Sequence, residues 1–257
     1  MLIGAILVLF ALKLFLVPFF LLLITLAGKR WGPGVSGWLA GFPLLTGPIL
    51  LLLALERGPA FAAGAATVSL SAVFSAVAFM LTYARMCMRR SPWVSLLGGL
   101  IVWCCAAYML TRFALGNFTA LAIALGTQLI APRFFPRVSA TLSAAAIPKM
   151  ELFLRMLAGA AVVLAVTTAA GAIGPAWTGM LAVFPVLAMV LAVFSHRSCG
   201  PAFANLLLKA MVRGLYALSS FCFAVAVLLP RQPIALSFAA AIALALAVQW
   251  TFRSRLV

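Results

Sequence analysis

Gly58-Pro59-Ala60-Phe61-Ala62 recurs letter for letter as Gly200-Pro201-Ala202-Phe203-Ala204, 142 residues further along the chain. Extended outward at that offset without a gap, Trp31 to Leu81 lies over Ile173 to Phe223. Gly32, Pro33 and Gly37 fall on Gly174, Pro175 and Gly179. Leu39, Ala40, Phe42, Pro43 and Leu45 fall on Leu181, Ala182, Phe184, Pro185 and Leu187. Leu on Leu carries little weight in so apolar a chain, so the signal is in the glycines, prolines and phenylalanines. The same shift sets Lys13 on Arg155, and the fourth span matches the ninth with Ser91-Pro92 against Gln232-Pro233, one residue off that shift. Self-similarity at a fixed offset is the mark of an internal duplication.

The solvent of these two units follows from composition. Apolar residues make up 67% of the 257 positions and charged residues 8%, where ordinary soluble proteins carry roughly a quarter charged. That leaves too little polar material to coat a surface, so lipid must cover most of it. A cleavable leader is not expected at the start, because Leu2 to Ala27 lacks a basic n-region and is too long for an h-region. The net charge of +16 would point to nucleic acid in a soluble protein. Here the basic residues sit between apolar runs, where they orient a membrane chain, and no nucleic-acid partner is expected.

Apolar runs of about the length needed to cross a bilayer, bounded by Gly, Pro and basic residues, predict an all-α integral membrane protein of about nine transmembrane helices. The spans are 4–27, 37–55, 60–83, 93–111, 115–131, 153–172, 178–195, 206–229 and 233–251. With the N-terminus outside, Lys29, Arg30, Arg85, Arg89, Arg90, Arg133, Arg137, Lys149, Arg197, Arg253 and Arg255 fall on the cytoplasmic side. Arg57, Arg112 and Arg231 fall outside, and Lys13, Arg155, Lys209 and Arg213 lie within or at the ends of helices. This asymmetry is the positive-inside pattern. Residues 1–112 form the first four-helix unit, 113–149 a linker helix with a cytoplasmic loop, and 150–257 the second unit. An odd linker reverses the second unit, giving the inverted repeats on which many secondary transporters are built.

The second span reads Gly41-Phe42-Pro43-Leu44-Leu45-Thr46-Gly47-Pro48, and its counterpart Ala182-Val183-Phe184-Pro185. Each proline removes a backbone donor and collides with the preceding turn. Helices interrupted at matching positions of inverted repeats point to a midplane binding site, though a proline kink satisfied by neighbouring helices gives the same pattern. The candidate substrate-binding residues are Phe42, Pro43, Thr46, Pro48, Phe184 and Pro185. Lys13, Arg155, Lys209 and Arg213 join them, since charges at membrane depth mark a ligand or a pathway unless they snorkel to the interface. If they face a cavity, the ligand is anionic. Glu56-Arg57 reads as a surface ion pair.

Several chemistries are not expected. The acids are Glu56 and Glu151 and the one histidine is His196, too few for a carboxylate relay, a hydrolytic triad or a metal site. Cys87, Cys104, Cys105, Cys199 and Cys222 show no ligand or disulfide spacing. The chain is therefore read as a non-enzyme with neither metal nor cofactor.

The string Gly37-Trp38-Leu39-Ala40-Gly41-Phe42-Pro43, then an apolar helix, then Glu56-Arg57-Gly58 resembles the GlpM family of small bacterial inner-membrane proteins. The resemblance covers 37 to 83 and, more weakly, 179 to 226, as though two such units were fused. Ser198-Cys199-Gly200 stands in the second unit where the first has Glu-Arg-Gly. It implies bacterial inner-membrane placement and loose links to glycerol metabolism and exopolysaccharide production, with no functional residue to carry over. Taken together, these features lead to the expectation of a small permease for an organic anion or anionic lipid-linked group. The alternative is a non-transporting scaffold or accessory subunit of a polysaccharide or lipid assembly machine. Membrane lipid is the expected partner in either case, alone or with a second copy or another membrane subunit.

Overall fold

A chain that meets hydrocarbon on most of its surface must satisfy its backbone hydrogen bonds internally, which leaves the helix as the ready solution. The computed structural model describes residues 2–113, 115–138, 148–173 and 184–251, with side chains from Leu14 onward other than at 149, 167 and 169–173. Among the described residues the regular elements are helices, with no strand. They are α1 (Leu2–Ala40), α2 (Thr46–Arg57), α3 (Pro59–Met86), α4 (Pro92–Thr111), α5 (Asn117–Ile130) with a 3-10 turn Ala131–Phe134, α6 (Lys149–Ile173), α7 (Val186–Leu228) and α8 (Ile234–Thr251).

Five of these are long and apolar enough to cross a membrane: the Leu14–Ala40 part of α1, α3, α4, α7 and α8. The chain is a multi-pass helical membrane protein. The nine expected spans do not map one to one onto these helices. The first span and the start of the second run together in α1, and the seventh and eighth in α7. α2, with 12 residues, reaches only ~18 Å, short of the ~30 Å hydrocarbon core. Gly174, Pro175, Gly179, Leu181 and Ala182, five of the eight matched positions that open the aligned duplication, lie outside the described residues.

Both long helices are broken by glycine. Gly32 (φ 83, ψ 178) interrupts α1 and Gly200 (φ 85, ψ 172) interrupts α7, while Gly58 (φ 90, ψ 164) separates α2 from α3. These left-handed φ values suit glycine, which has no Cβ to clash. At Gly32 the chain turns back, since Ser36 Oγ donates to the Ile24 carbonyl at 2.9 Å. Twelve residues along a straight helix would separate those groups by ~18 Å.

Gly58 and Gly200 are the matched glycines of the repeated pentapeptide, and the backbone beyond them matches too. The N–H groups of Arg89 and Arg90 donate to the Met86 carbonyl at 3.0 and 2.8 Å. Those of Arg231 and Gln232, at the same offset, donate to Leu228 at 2.9 and 2.9 Å. Yet α3 and its counterpart, the second limb of α7, run antiparallel. The C-terminal end of α3 meets the start of that limb through Cys87 Sγ and the Pro201 carbonyl, 3.7 Å apart. At the opposite end, Thr67 near the start of α3 bonds Asn117, which shares a surface furrow with Ala226 and Arg231. Val17 of α1 faces Gly159 of α6, its own counterpart, and a Cβ on Gly159 would come within 3.2 Å of Val17 Cγ1.

The tightest crossing joins the second limb of α1 to the second limb of α7. A Cβ built on Gly41 would lie 2.5 Å from the Gly214 carbonyl carbon, and one on Gly37 would strike the Leu207 carbonyl oxygen. Small residues four apart on both sides, Gly37 with Gly41 and Ala210 with Gly214, let the two backbones touch, the usual device for helix contact in lipid. α5 is fixed differently, by polar contacts at both ends. Thr67 Oγ1 donates to Asn117 Oδ1 at 2.6 Å, and Gln128 Nε2 donates to Ser219 Oγ at 2.6 Å with both partners buried.

Gly41→Ala or Gly214→Ala must push two backbones apart and is expected to cost about 1–3 kcal/mol, read as a fall in the thermal midpoint of the purified protein in detergent. Gly64→Ala, on an exposed face of α3 with open space around it, is expected to hold or raise that midpoint through helix propensity.

Candidate functional site

Pro43 lacks the N–H that would continue the ladder to Leu39 and clashes with that carbonyl, so α1 stops at Ala40 and α2 starts at Thr46. Between them Leu44 N–H donates to the Phe42 carbonyl at 2.7 Å and Gly47 N–H to the Pro43 carbonyl at 3.0 Å. At the same offset Val186 N–H donates to the Phe184 carbonyl at 2.8 Å and Met189 N–H to the Pro185 carbonyl at 2.9 Å. Pro185 has φ −80 and ψ 56, the inverse γ-turn region. Both Phe-Pro pairs thus occupy the same non-helical turn immediately ahead of a helix. Pro48 sits in the first turn of α2, where the missing N–H has no intrahelical acceptor to lose.

A break in lipid leaves carbonyls that need donors. Phe42 N–H turns to Leu39 at 3.1 Å, which frees the Trp38 carbonyl, and Gln249 Nε2 from α8 donates to it at 3.0 Å. Gly214 leaves room for that carbonyl, because a Cβ there would strike it. Pro43 is buried, while Phe42, Thr46 and Pro48 are half-buried. At the second turn, the Phe184 ring meets the buried Trp103 ring edge-on at 5.0 Å and 74°. The indole N–H groups of Trp38 and Trp103 are both buried without an acceptor.

The candidate cations are distributed unevenly. Arg155 is 2% exposed. Its Nε and one terminal nitrogen donate to Glu151 Oε1 at 3.0 and 2.5 Å, and its guanidinium lies 5.7 Å over the Phe194 ring. Lys209 and Arg213 are half-buried and immediately precede Ala210 and Gly214, the residues that touch Gly37 and Gly41. They therefore flank the crossing that leads into the first break. The Lys13 side chain lies outside the described residues. No described contact brings Arg155 to either Phe-Pro turn. The expected Glu56-Arg57 pair is not formed: Arg57 places its guanidinium 5.7 Å over the Phe61 ring, and the ion pair among the described residues is Arg155–Glu151.

Near the Gly200 break a second polar group assembles. Tyr83 Oη and His196 Nδ1 share a hydrogen bond of 3.3 Å with the rings edge-on. Ser195 Oγ and both amide atoms of Asn205, each residue five positions from Gly200, are buried without partners. Among the described residues no three His, Cys, Asp or Glu side chains gather as a metal site. Sequence reading passed over Trp38, Trp103, Gln249 and Gly214. Gln249 stood out only as a polar residue in an otherwise apolar helix, and Gly214 only by its spacing from Ala210.

Residues and geometry together define a multi-pass membrane protein with two like turns at Phe42-Pro43 and Phe184-Pro185. Comparison with family models, characterised proteins and solved structures returns no match.

Cys87 caps α3 and is buried, with Sγ facing the Ala84 and Pro201 carbonyls. Burial pushes its thiol up to about 11. With the other cysteines replaced, its maleimide labelling at pH 7 is expected to be on the order of 100-fold slower than that of an ordinary thiol, since the thiolate is the nucleophile. The rate should climb with pH and become ordinary on denaturation.

Proposed function

We propose that this protein is a small secondary transporter whose two halves are inverted copies, with an organic anion or anionic lipid-linked group bound where the Phe-Pro turns interrupt the helices. One observation carries the reading. The same proline turn, with the same backbone hydrogen bonds, stands before α2 and before α7, in halves whose matching helices α3 and the second limb of α7 run antiparallel. Interrupted helices in inverted repeats are where transporters hold substrate, because helix ends there present N–H groups or carbonyls to it. Lys209, beside the first break, supports an anionic cargo, and so does a chain whose acids are Glu56 and the already paired Glu151. The unpartnered indole donors of Trp38 and Trp103 support a cargo with acceptor oxygens.

The same reading takes the chain as a duplicated relative of the GlpM family in a bacterial inner membrane, N-terminus outside, with nine membrane-entering segments counting the broken ones. The alternative, a scaffold that transports nothing, draws on the close Gly41–Gly214 contact, which is a packed crossing.

Two measurements divide these readings. In proteoliposomes, counterflow of a panel of small carboxylates and organic phosphates is expected to be saturable and to fall at least about ten-fold in Pro43→Ala and Pro185→Ala proteins that elute and melt like the parent. Absence of flux for every anion leaves the scaffold. For topology, a cysteine at Arg57 is preferable to one at Gly58, whose φ of 90 disfavours a side chain. In intact cells an impermeant maleimide is expected to label Arg57→Cys and to spare Cys199. Labelling of both, or of neither, overturns the inversion.

A further inference from the structure

A furrow of about 290 Å³ lies between the start of α5 and the α7–α8 connection, lined by Asn117, Phe118, Ala226, Val227, Pro230 and Arg231. We propose that it holds an anionic phospholipid, with the phosphodiester on Arg231 and Asn117 and an acyl chain along Phe118 and Val227. The inference is independent of the transport reading, because the furrow's lining includes no residue of either Phe-Pro turn.

The walls divide into a polar end and an apolar run. Arg231 is exposed in the loop that follows α7, at the level where a membrane-spanning helix leaves hydrocarbon for headgroups. Asn117 contributes an amide whose Oδ1 is already engaged by Thr67, which leaves its Nδ2 donors for an acceptor. No acid lines the furrow, and the chain's two carboxylates are Glu56 at the end of α2 and Glu151 in its pair with Arg155. The local charge is therefore uncompensated by protein.

The remaining lining residues (Phe118, Ala226, Val227 and Pro230) are apolar. Phe118 is 75% exposed, yet its ring is held edge-on by Phe223 at 5.5 Å, so it forms a fixed wall. A cation and an amide at one end of an apolar channel match a phosphate attached to hydrocarbon better than a free anion, which would leave the apolar wall uncovered. A basic residue at a membrane surface gains about 1 kcal/mol from anionic lipid, or roughly five-fold in affinity.

The test uses the full-length protein, purified and delipidated in a neutral detergent. Its thermal midpoint is followed against dioleoylphosphatidylglycerol, dioleoylphosphatidylcholine and soluble glycerol phosphate. The expected result is saturable stabilisation by phosphatidylglycerol, little by phosphatidylcholine and none by glycerol phosphate. Arg231→Gln should shift the phosphatidylglycerol half-point about five-fold upward, Arg231→Lys should retain most of the response, and Arg137→Gln, outside the furrow, should titrate like the parent. Parent-like titration by Arg231→Gln overturns the proposal, as does equal stabilisation by the two lipids or stabilisation by glycerol phosphate alone. Arg231 is exposed and makes no described side-chain contact, so its variants are expected to fold.

Discussion

A proline turn inside a bilayer frees backbone groups that water cannot reach, and each must find a partner within the protein. Much of the arrangement around the first break answers that requirement. Pro43 ends α1, the Trp38 carbonyl loses its helical donor, and Gln249 supplies one from the far end of the chain. Gln249 reaches that carbonyl only because Gly214 leaves space beside it and Gly41 lets the crossing helices touch. Close packing and carbonyl capping are thus one interaction, and α8, whose surface is otherwise mostly lipid-facing, is tied to the interior through it.

Much of this was legible in the sequence, and the illegible parts have physical causes. α4 and α8 fall within two residues of the spans read from hydropathy, because each is a single apolar run opened by proline. α5 follows its expected 115–131 closely, although it is short and polar, since Asn117 and Gln128 serve as glue to α3 and α7. The second span reads as one stretch because hydropathy is blind to backbone direction. Pro43 stops the helix inside that span and the apolar count runs through it, while Gly32 folds the chain back in the stretch between the first two spans. Among the candidate site residues, the Phe-Pro pairs were visible as prolines in apolar surroundings. Trp38, Trp103 and Gln249 were not, because their roles depend on neighbours more than eighty residues away or, for Trp103, on Phe184 across the bundle.

Charge follows a similar logic. Arg155 is buried in the second turn of α6, where an isolated guanidinium is costly, and one of the chain's two acids lies one turn earlier to meet it. The pairing relieves a buried cation without requiring a partner from another helix, and the Phe194 face covers the remaining side. Lys13, its counterpart at the matched offset, has no acid one turn before it in the sequence. The two halves thus share a framework of glycines and prolines while differing in what they place on it.

That difference is sharpest at the matched glycine breaks. Around Gly200 stand Ser195, His196 and Asn205, where the Gly58 break has Leu53, Ala54 and Ala63. A buried polar group without a partner costs about 1–3 kcal/mol, and Ser195 Oγ and the Asn205 amide are such groups. Polar neighbours supplied to Ser195 and Asn205 therefore recover free energy, whereas Leu53, Ala54 and Ala63 at the matched positions have none to recover. The two matched breaks thus share a backbone conformation while differing in the polarity of the side chains around them.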